Sequence, residues 1–444
     1  MLRVVLTLML VLAPTVSLRA QSLREKISEL FIFGAGQDPL FLGGSGDPRN
    51  PASIQAHGNH FVPASAAANA TVIAFIIGSI SANVSNVPLS ATSGGSTFRF
   101  EGGIPVRTSE SPGPIFGERA QTLGRGRLLL GVNVSDQRFT SLRGTDLRNV
   151  RLNFTHANVD FEGCDEAFGG DCSLMGFPVL ENEVMEFRLM LDLSLQVTSF
   201  YLTYGLGDRV DVGVVVPIVS ASFRGESEAQ IDPFGGPTAS HFFGGTPETP
   251  VLTASRVVLG DATGVGDVAL RLKINLHRTN RAGFSVLGDA RFATGSSDDL
   301  LGSGAFAARG LAILSARLAD FSPHLNLGYL YRGSDALADA LLATVGFDNV
   351  LAPWATLAAD LVAEMQVGRS KLALPGPIAV ETPFRRTIYP TTIPDTRDDI
   401  VSGSFGFKFT AAPGLAAIVN SIWPLNRGGL RANVVWTAGL EYNF

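Results

Sequence analysis

The last fourteen residues, RANVVWTAGLEYNF at 431–444, alternate with a period of two. Counting from Leu430, the positions Leu430, Ala432, Val434, Trp436, Ala438, Leu440, Tyr442 and Phe444 are apolar; Arg431, Asn433, Val435, Thr437, Gly439, Glu441 and Asn443 between them are mostly polar or small. Successive side chains of a strand point to opposite faces, so this stretch carries one apolar and one wet face. At roughly 3.3 Å per residue it reaches about 45 to 50 Å, whereas a strand of a soluble domain has about five or six residues.

The pattern recurs. Phe187, Leu189, Leu191, Leu193, Leu195 and Val197 alternate with residues that include Arg188, Asp192, Ser194 and Gln196. After the turn sequence YGLGDR come Val210, Val212, Val214, Val216 and Ile218, which completes an amphipathic hairpin. Val268, Leu270, Leu272, Ile274 and Leu276 repeat the theme, answered by AGFSVLGDARFATG. Further candidate strands lie near 303–317, 323–332, 337–348, 354–367, 399–410 and 413–424, with weaker ones near 96–104, 125–138 and 147–157. The total is about fourteen strands, within bounds of roughly 12 to 16.

Only 17% of the chain is charged, while Gly reaches 49 and Phe 29 residues; roughly 25% charged is usual for a soluble protein. Such a surface suits an outer face that meets something other than water. No repeated apolar run is long enough for a helical membrane protein. The net charge of −6 and the lack of a basic cluster argue against a nucleic-acid partner.

The connections also alternate. With Phe444 taken as the periplasmic end, the turns expected there are 411–413, 349–353, 318–322, 277–282, 205–208 and 139–146, all short. The other set includes 368–398, 225–261, 158–183 and 105–124, long and rich in Gly, Pro, Ser and acid. Short periplasmic turns and long extracellular loops mark an outer-membrane barrel. In hydrocarbon every backbone N–H and C=O must pair within the protein, and closed barrels achieve this with strands. The expected fold is therefore an all-β, transmembrane antiparallel β-barrel over residues 96–444.

Residues 1–20, with Arg3, an apolar stretch from Val4 to Leu12 and small residues up to Ala20, read as a signal peptide for export to a Gram-negative type outer membrane. Export to an oxidising compartment leads to an expected local disulfide between Cys164 and Cys172. Residues 21–95 do not follow the strand pattern and are expected to form either a plug inside the barrel or a periplasmic segment at its mouth. Tyr442 and Phe444 would sit at the periplasmic rim, and a final phenylalanine resembles the C-terminal signal read by outer-membrane assembly machinery.

Three stretches, TSFYLTYGLGDRVDVGVVVPIV, ATGVGDVALRLKINL and DARFATGSSDDLLGSGAFA, resemble the "MetA-pathway of phenol degradation" family of outer-membrane barrels over roughly residues 184–310. The overall plan of about fourteen strands behind an N-terminal plug also resembles FadL-type channels. These resemblances imply a monomeric channel in contact with outer-membrane lipid that passes small hydrophobic or aromatic compounds passively. A general porin, a rim-site enzyme and a structural or adhesive barrel acting through its loops are the competing classes.

Neither a G-x-S-x-G elbow, an H-E-x-x-H pair nor a Walker loop is present, so no enzyme activity and no cofactor are expected. The acidic loop around Cys164 and Cys172 lacks the register of a calcium-binding loop, and no metal site is expected. Charges that alternate with apolar strand positions are the functional candidates: Glu186, Arg188 and Asp192; Asp267, Arg271 and Lys273; Asp289 and Arg291; Asp360 and Glu364. An Arg or Lys facing lipid at mid-bilayer costs about 2 to 4 kcal/mol, so these residues are expected to line the lumen. There they would either brace the barrel as ion pairs or form a constriction that selects solutes.

Overall fold

The computed structural model describes residues 21–31, 76, 78–80, 98–101, 104–107, 117–155, 184–232, 243–246, 249–372, 374, 376–380 and 386–444. Residues 1–20, expected to be a signal peptide, most of 32–97, expected to be the plug or periplasmic segment, and the loop with the expected Cys164–Cys172 disulfide lie outside them.

Fourteen strands carry the architecture. They are β1 (Leu128–Leu142), β2 (Val150–Thr155), β3 (Val184–Gly207), β4 (Val210–Asp232), β5 (Thr253–Val265), β6 (Val268–Arg278) and β7 (Ala282–Phe292). The second half comprises β8 (Ala307–Ala316), β9 (Phe321–Arg332), β10 (Ala340–Ala352), β11 (Ala355–Gln366), β12 (Ile400–Ala412), β13 (Leu415–Pro424) and β14 (Leu430–Asn443).

Twelve of these close the barrel, in the antiparallel ring β1-β3-β4-β6-β7-β8-β9-β10-β11-β12-β13-β14 and back to β1. Closure pairs Asn443 with Leu129 at one rim and Leu430 with Leu142 at the other. Two strands of the fourteen expected fall outside the ring. Among the described residues, 98–101 pair only with 104–107 in a separate two-stranded sheet. The other, β2, continues the line of β1 along the edge of β3, with Phe139 opposite Leu193 and Val150 opposite Leu189. Between them, the connection expected as a periplasmic turn at 139–146 lies at the opposite mouth, because Leu142 pairs with the start of β14. The remaining short turns, at 208–209, 279–281, 317–320, 353–354 and 413–414, share one rim with the chain's last residue.

Hairpin β3–β4 is the tallest part of the wall, paired from Val184/Asp232 down to Gly207/Val210. Its outer face changes character at a single register row. Below Thr198/Ile218 the outward residues are Phe200, Leu202, Tyr204 and Leu206 on β3 and Val210, Val212, Val214 and Val216 on β4. Above it they are Glu186, Arg188, Met190, Asp192, Ser194 and Gln196, all polar but Met190, facing Gln230, Glu228, Glu226, Arg224, Ser222 and Ser220. The inner face inverts in step: Phe187, Leu189, Leu191, Leu193, Leu195 and Val197 are buried above, Ser199 and Thr203 below. Lipid therefore meets the lower half only, and the upper half is an extracellular sheet with its apolar side inward. Helix α1 (Leu23–Ser28) packs on that inner side through Leu23 and Ile27, and the 3-10 turn after it (Glu29–Phe31) through Leu30. A reciprocal capping box starts it, Ser22 Oγ accepting from Glu25 N and Glu25 Oε2 from Ser22 N. The described residues 21–31 thus sit at the long-loop mouth.

Strand β5 continues β6 along β4, the break falling at Gly266 and Asp267. Asp267 is buried there and ties down the loop after β7: its carboxylate accepts from Gly295 N (3.1 Å), Ser303 N (2.8 Å) and Ser303 Oγ (2.5 Å). A hydrogen bond to a charged group contributes roughly 1.5 to 3 kcal/mol, so Asp267→Ala is expected to raise protease cleavage within 293–306 about tenfold or more, with the barrel intact. An unchanged cleavage rate in limited proteolysis would contradict this anchoring role.

Candidate functional site

Residues 117–123 run through the lumen. This segment, PIFGERAQTLG in its sequence context, has no strand periodicity, and the sequence alone assigns it to an extracellular loop at 105–124. Its backbone is instead gripped by inward side chains of the wall. Asn326 on β9 accepts from Glu118 N (2.7 Å) and donates to Glu118 O (2.9 Å). Ala120 N donates to Ser315 Oγ at 3.0 Å, and its carbonyl accepts from Asn275 Nδ2 at 2.8 Å and from Ser285 Oγ. Leu123 N donates to the buried carboxylate of Asp211 at 3.0 and 3.2 Å. Buried backbone groups need partners, and here polar side chains supply what a neighbouring strand would. The fit is close at Gly117, where a Cβ would lie 2.0 Å from His324 Nε2.

Ion pairs pin the same segment. Glu118 accepts from Arg271 (2.7 Å) and Lys273 (3.2 Å), both on β6, and Arg119 forms a bidentate pair with Asp348 on β10. All five side chains are buried. Asp289 gathers Arg291 and Arg309 at 3.1 Å and Arg271 at 3.5 Å. His324 Nε2 lies 2.7 Å from Asp360, and Lys408 pairs with Glu441 at 2.7 Å, with the Tyr201 hydroxyl donating to the same carboxylate at 3.3 Å.

Of the charges singled out from the sequence, Arg271, Lys273, Asp289, Arg291 and Asp360 face inward and are brought together around this segment. Glu364 lies at the cavity wall and accepts from Arg332 at 2.5 Å. Asp267 is buried but serves its loop. Glu186, Arg188 and Asp192 do not line the lumen: they are on the outer face of the extracellular half of β3, where Glu186 pairs with Arg151 (3.1 Å), Arg188 with Glu228 (3.5 Å) and Asp192 with Arg138. The cost of facing lipid does not arise for them, because water covers that half of the strand. Sequence reasoning missed Glu118 and Arg119, which no strand period marks. It also missed Asp348, Lys408 and Glu441, which the same alternation would have found on β10, β12 and β14.

On the long-loop side of the segment lies a cavity of about 270 Å³. Leu311, Leu330, Leu342, Val362, Ile422 and Val435 contribute its apolar wall, and Arg271, Arg291, Arg309 and Arg431 its cationic ends. The loop between β11 and β12 closes over this mouth: Arg143 pairs with Asp398 (2.8 Å), and Arg397 holds the Asp399 carboxyl below its usual range by hydrogen bonding. Outside, the lower rim carries Trp354 stacked on Phe409 and Tyr442 edge-on to Phe444. These are amphipathic or aromatic groups at the height expected of an interfacial girdle.

Comparison with known proteins agrees with the sequence reading over part of the chain. A family model described as "Putative MetA-pathway of phenol degradation" matches residues 187–369. No curated protein matches. Among solved structures, an outer membrane channel from Pseudomonas putida F1 aligns with 12% identity over 73% of this chain and 98% of its own, at a TM-score of 0.41. A Pseudomonas aeruginosa FadL homologue gives 12% identity, 80% and 97% coverage and 0.32; the CymD monoaromatic hydrocarbon channel gives 10%, 72% and 89%, and 0.34. The barrel wall from β3 to just past β11 thus carries the sequence pattern of the phenol-degradation MetA-pathway family.

Proposed function

We propose that this chain is an outer-membrane channel for the passive uptake of small hydrophobic or aromatic compounds, with its N-terminal residues acting as a plug. The observation that carries this reading is a lumen filled by residues 117–123, which leaves a small cavity with a partly apolar wall in place of a wide aqueous pore. The description of the matching family points to the same compound class. Under this reading residues 1–20 direct export, Tyr442 and Phe444 serve assembly, and the barrel works as a monomer.

Neutral aromatics dissolve in fluid phospholipid, so the test needs cells whose lipopolysaccharide leaflet is the barrier. Cells expressing the chain should take up labelled toluene or phenol several-fold faster than cells without it, with little change for a sugar of similar size. Equal acceleration of both solutes would make it a general porin, and no acceleration of either would direct attention to the loops.

A further inference from the structure

We propose that the lumen cavity is a binding site for a small aromatic carboxylate. Its place in transport rests on the channel reading, although binding itself is measurable without transport.

Size sets the first limit. A dry cavity of roughly 150 Å³ accommodates benzene, so about 270 Å³ holds one substituted ring and little more. Composition sets the second. Leu311, Leu342, Val362 and Ile422, from four different strands, give the cavity apolar wall suited to a ring.

Charge sets the third. Within the cluster beside this wall, four cations, Arg271, Lys273, Arg291 and Arg309, stand against three carboxylates: Asp289 and Glu118, which they pair with directly, and Asp211, across the register from Lys273. Nε of Arg309 is buried without a hydrogen-bond acceptor, and Nε of Arg271 reaches only a long 3.5 Å contact with Asp289. Across the cavity the buried Arg431 donates only to uncharged groups, Val401 O (2.8 Å) and Ser402 Oγ (2.9 Å), and the carboxylate acting on it is Glu364, which hydrogen-bonds to Arg332 instead. The two other acids in the wall are already engaged, Glu364 with Arg332 and Asp398 with Arg143. A carboxylate matches the planar fork of a guanidinium and supplies the missing negative charge, while a neutral hydrocarbon would leave these donors as they are.

The test is ¹⁹F NMR of 4-fluorobenzoate with the full chain in detergent micelles at neutral pH, with 4-fluorobenzyl alcohol as the uncharged control. Saturable broadening of 4-fluorobenzoate, reversed by benzoate and at least tenfold stronger than for the alcohol, is expected. Arg309→Gln and Arg431→Gln should each weaken it about tenfold, and Val362→Trp, which fills the cavity while leaving every charged residue in place, should abolish it even if the arginine variants fold poorly. Equal binding of acid and alcohol, or undiminished binding by Val362→Trp, would overturn the assignment. Toluene uptake without fluorobenzoate binding would remove this site and leave the channel; binding without aromatic uptake would retain the site and remove the channel.

Discussion

Arg119→Ala is expected to lower the stability of the folded barrel by about 3 to 5 kcal/mol, the usual effect of removing one partner from a buried ion pair. The guanidinium and the Asp348 carboxylate are both inside the barrel, and the carboxylate is wholly buried. Alanine leaves that charge in a medium where it is poorly solvated. Replacing both partners by apolar residues of similar size, Arg119→Met with Asp348→Leu, removes the desolvation penalty together with the attraction and is expected to restore most of the loss. Urea unfolding from lipid vesicles, followed by tryptophan fluorescence, measures all three proteins. A single variant as stable as the parent would mean that the segment does not depend on this pair.

The second large effect concerns the outer surface. Leu272 on β6 is exposed on the outer face in the part of the wall that meets lipid. Leu272→Arg is expected to cost about 2 to 4 kcal/mol. Met190 is also an apolar residue on an alternating strand, but it faces outward between Arg188 and Asp192, above the row at which the outer face becomes polar. Met190→Arg is expected to change stability by less than about 0.5 kcal/mol, as for an ordinary exposed site. The same unfolding assay compares them; equal costs would mean that lipid covers the whole height of β3.

That pair also shows why the sequence is legible in one respect and misleading in another. Period-two alternation identifies strands, turns and a closed antiparallel fold, because a barrel strand must show different solvents to its two faces. All twelve wall strands are recognisable from it, and the two surplus ones are an isolated hairpin strand at 98–101 and the detached end of the β1 line. Alternation does not say which solvent lies on which side. On β3 the apolar set changes parity between Val197 and Phe200, with Ser199 turned inward, and that slip marks the edge of the membrane. Treating Phe187 to Val197 as lipid-facing places Glu186, Arg188 and Asp192 wrongly in the lumen. On β14 the reverse occurs: the apolar set keeps its parity but the backbone register shifts between Ala432 and Val435, so that Leu430 is buried while Trp436, Leu440 and Tyr442 face out. The segment at 117–123 is illegible for a different reason: its partners are single side chains on several wall strands, contacts that leave no period in its own sequence.

Conductance in planar bilayers tests most directly whether residues 117–123 fill the lumen. The intact chain is expected to show small or rare openings, and the variant with Glu118→Ala and Arg119→Ala, its ties to Arg271, Lys273 and Asp348 removed, a large and steady conductance. A large steady conductance already present in the intact chain would contradict a filled lumen.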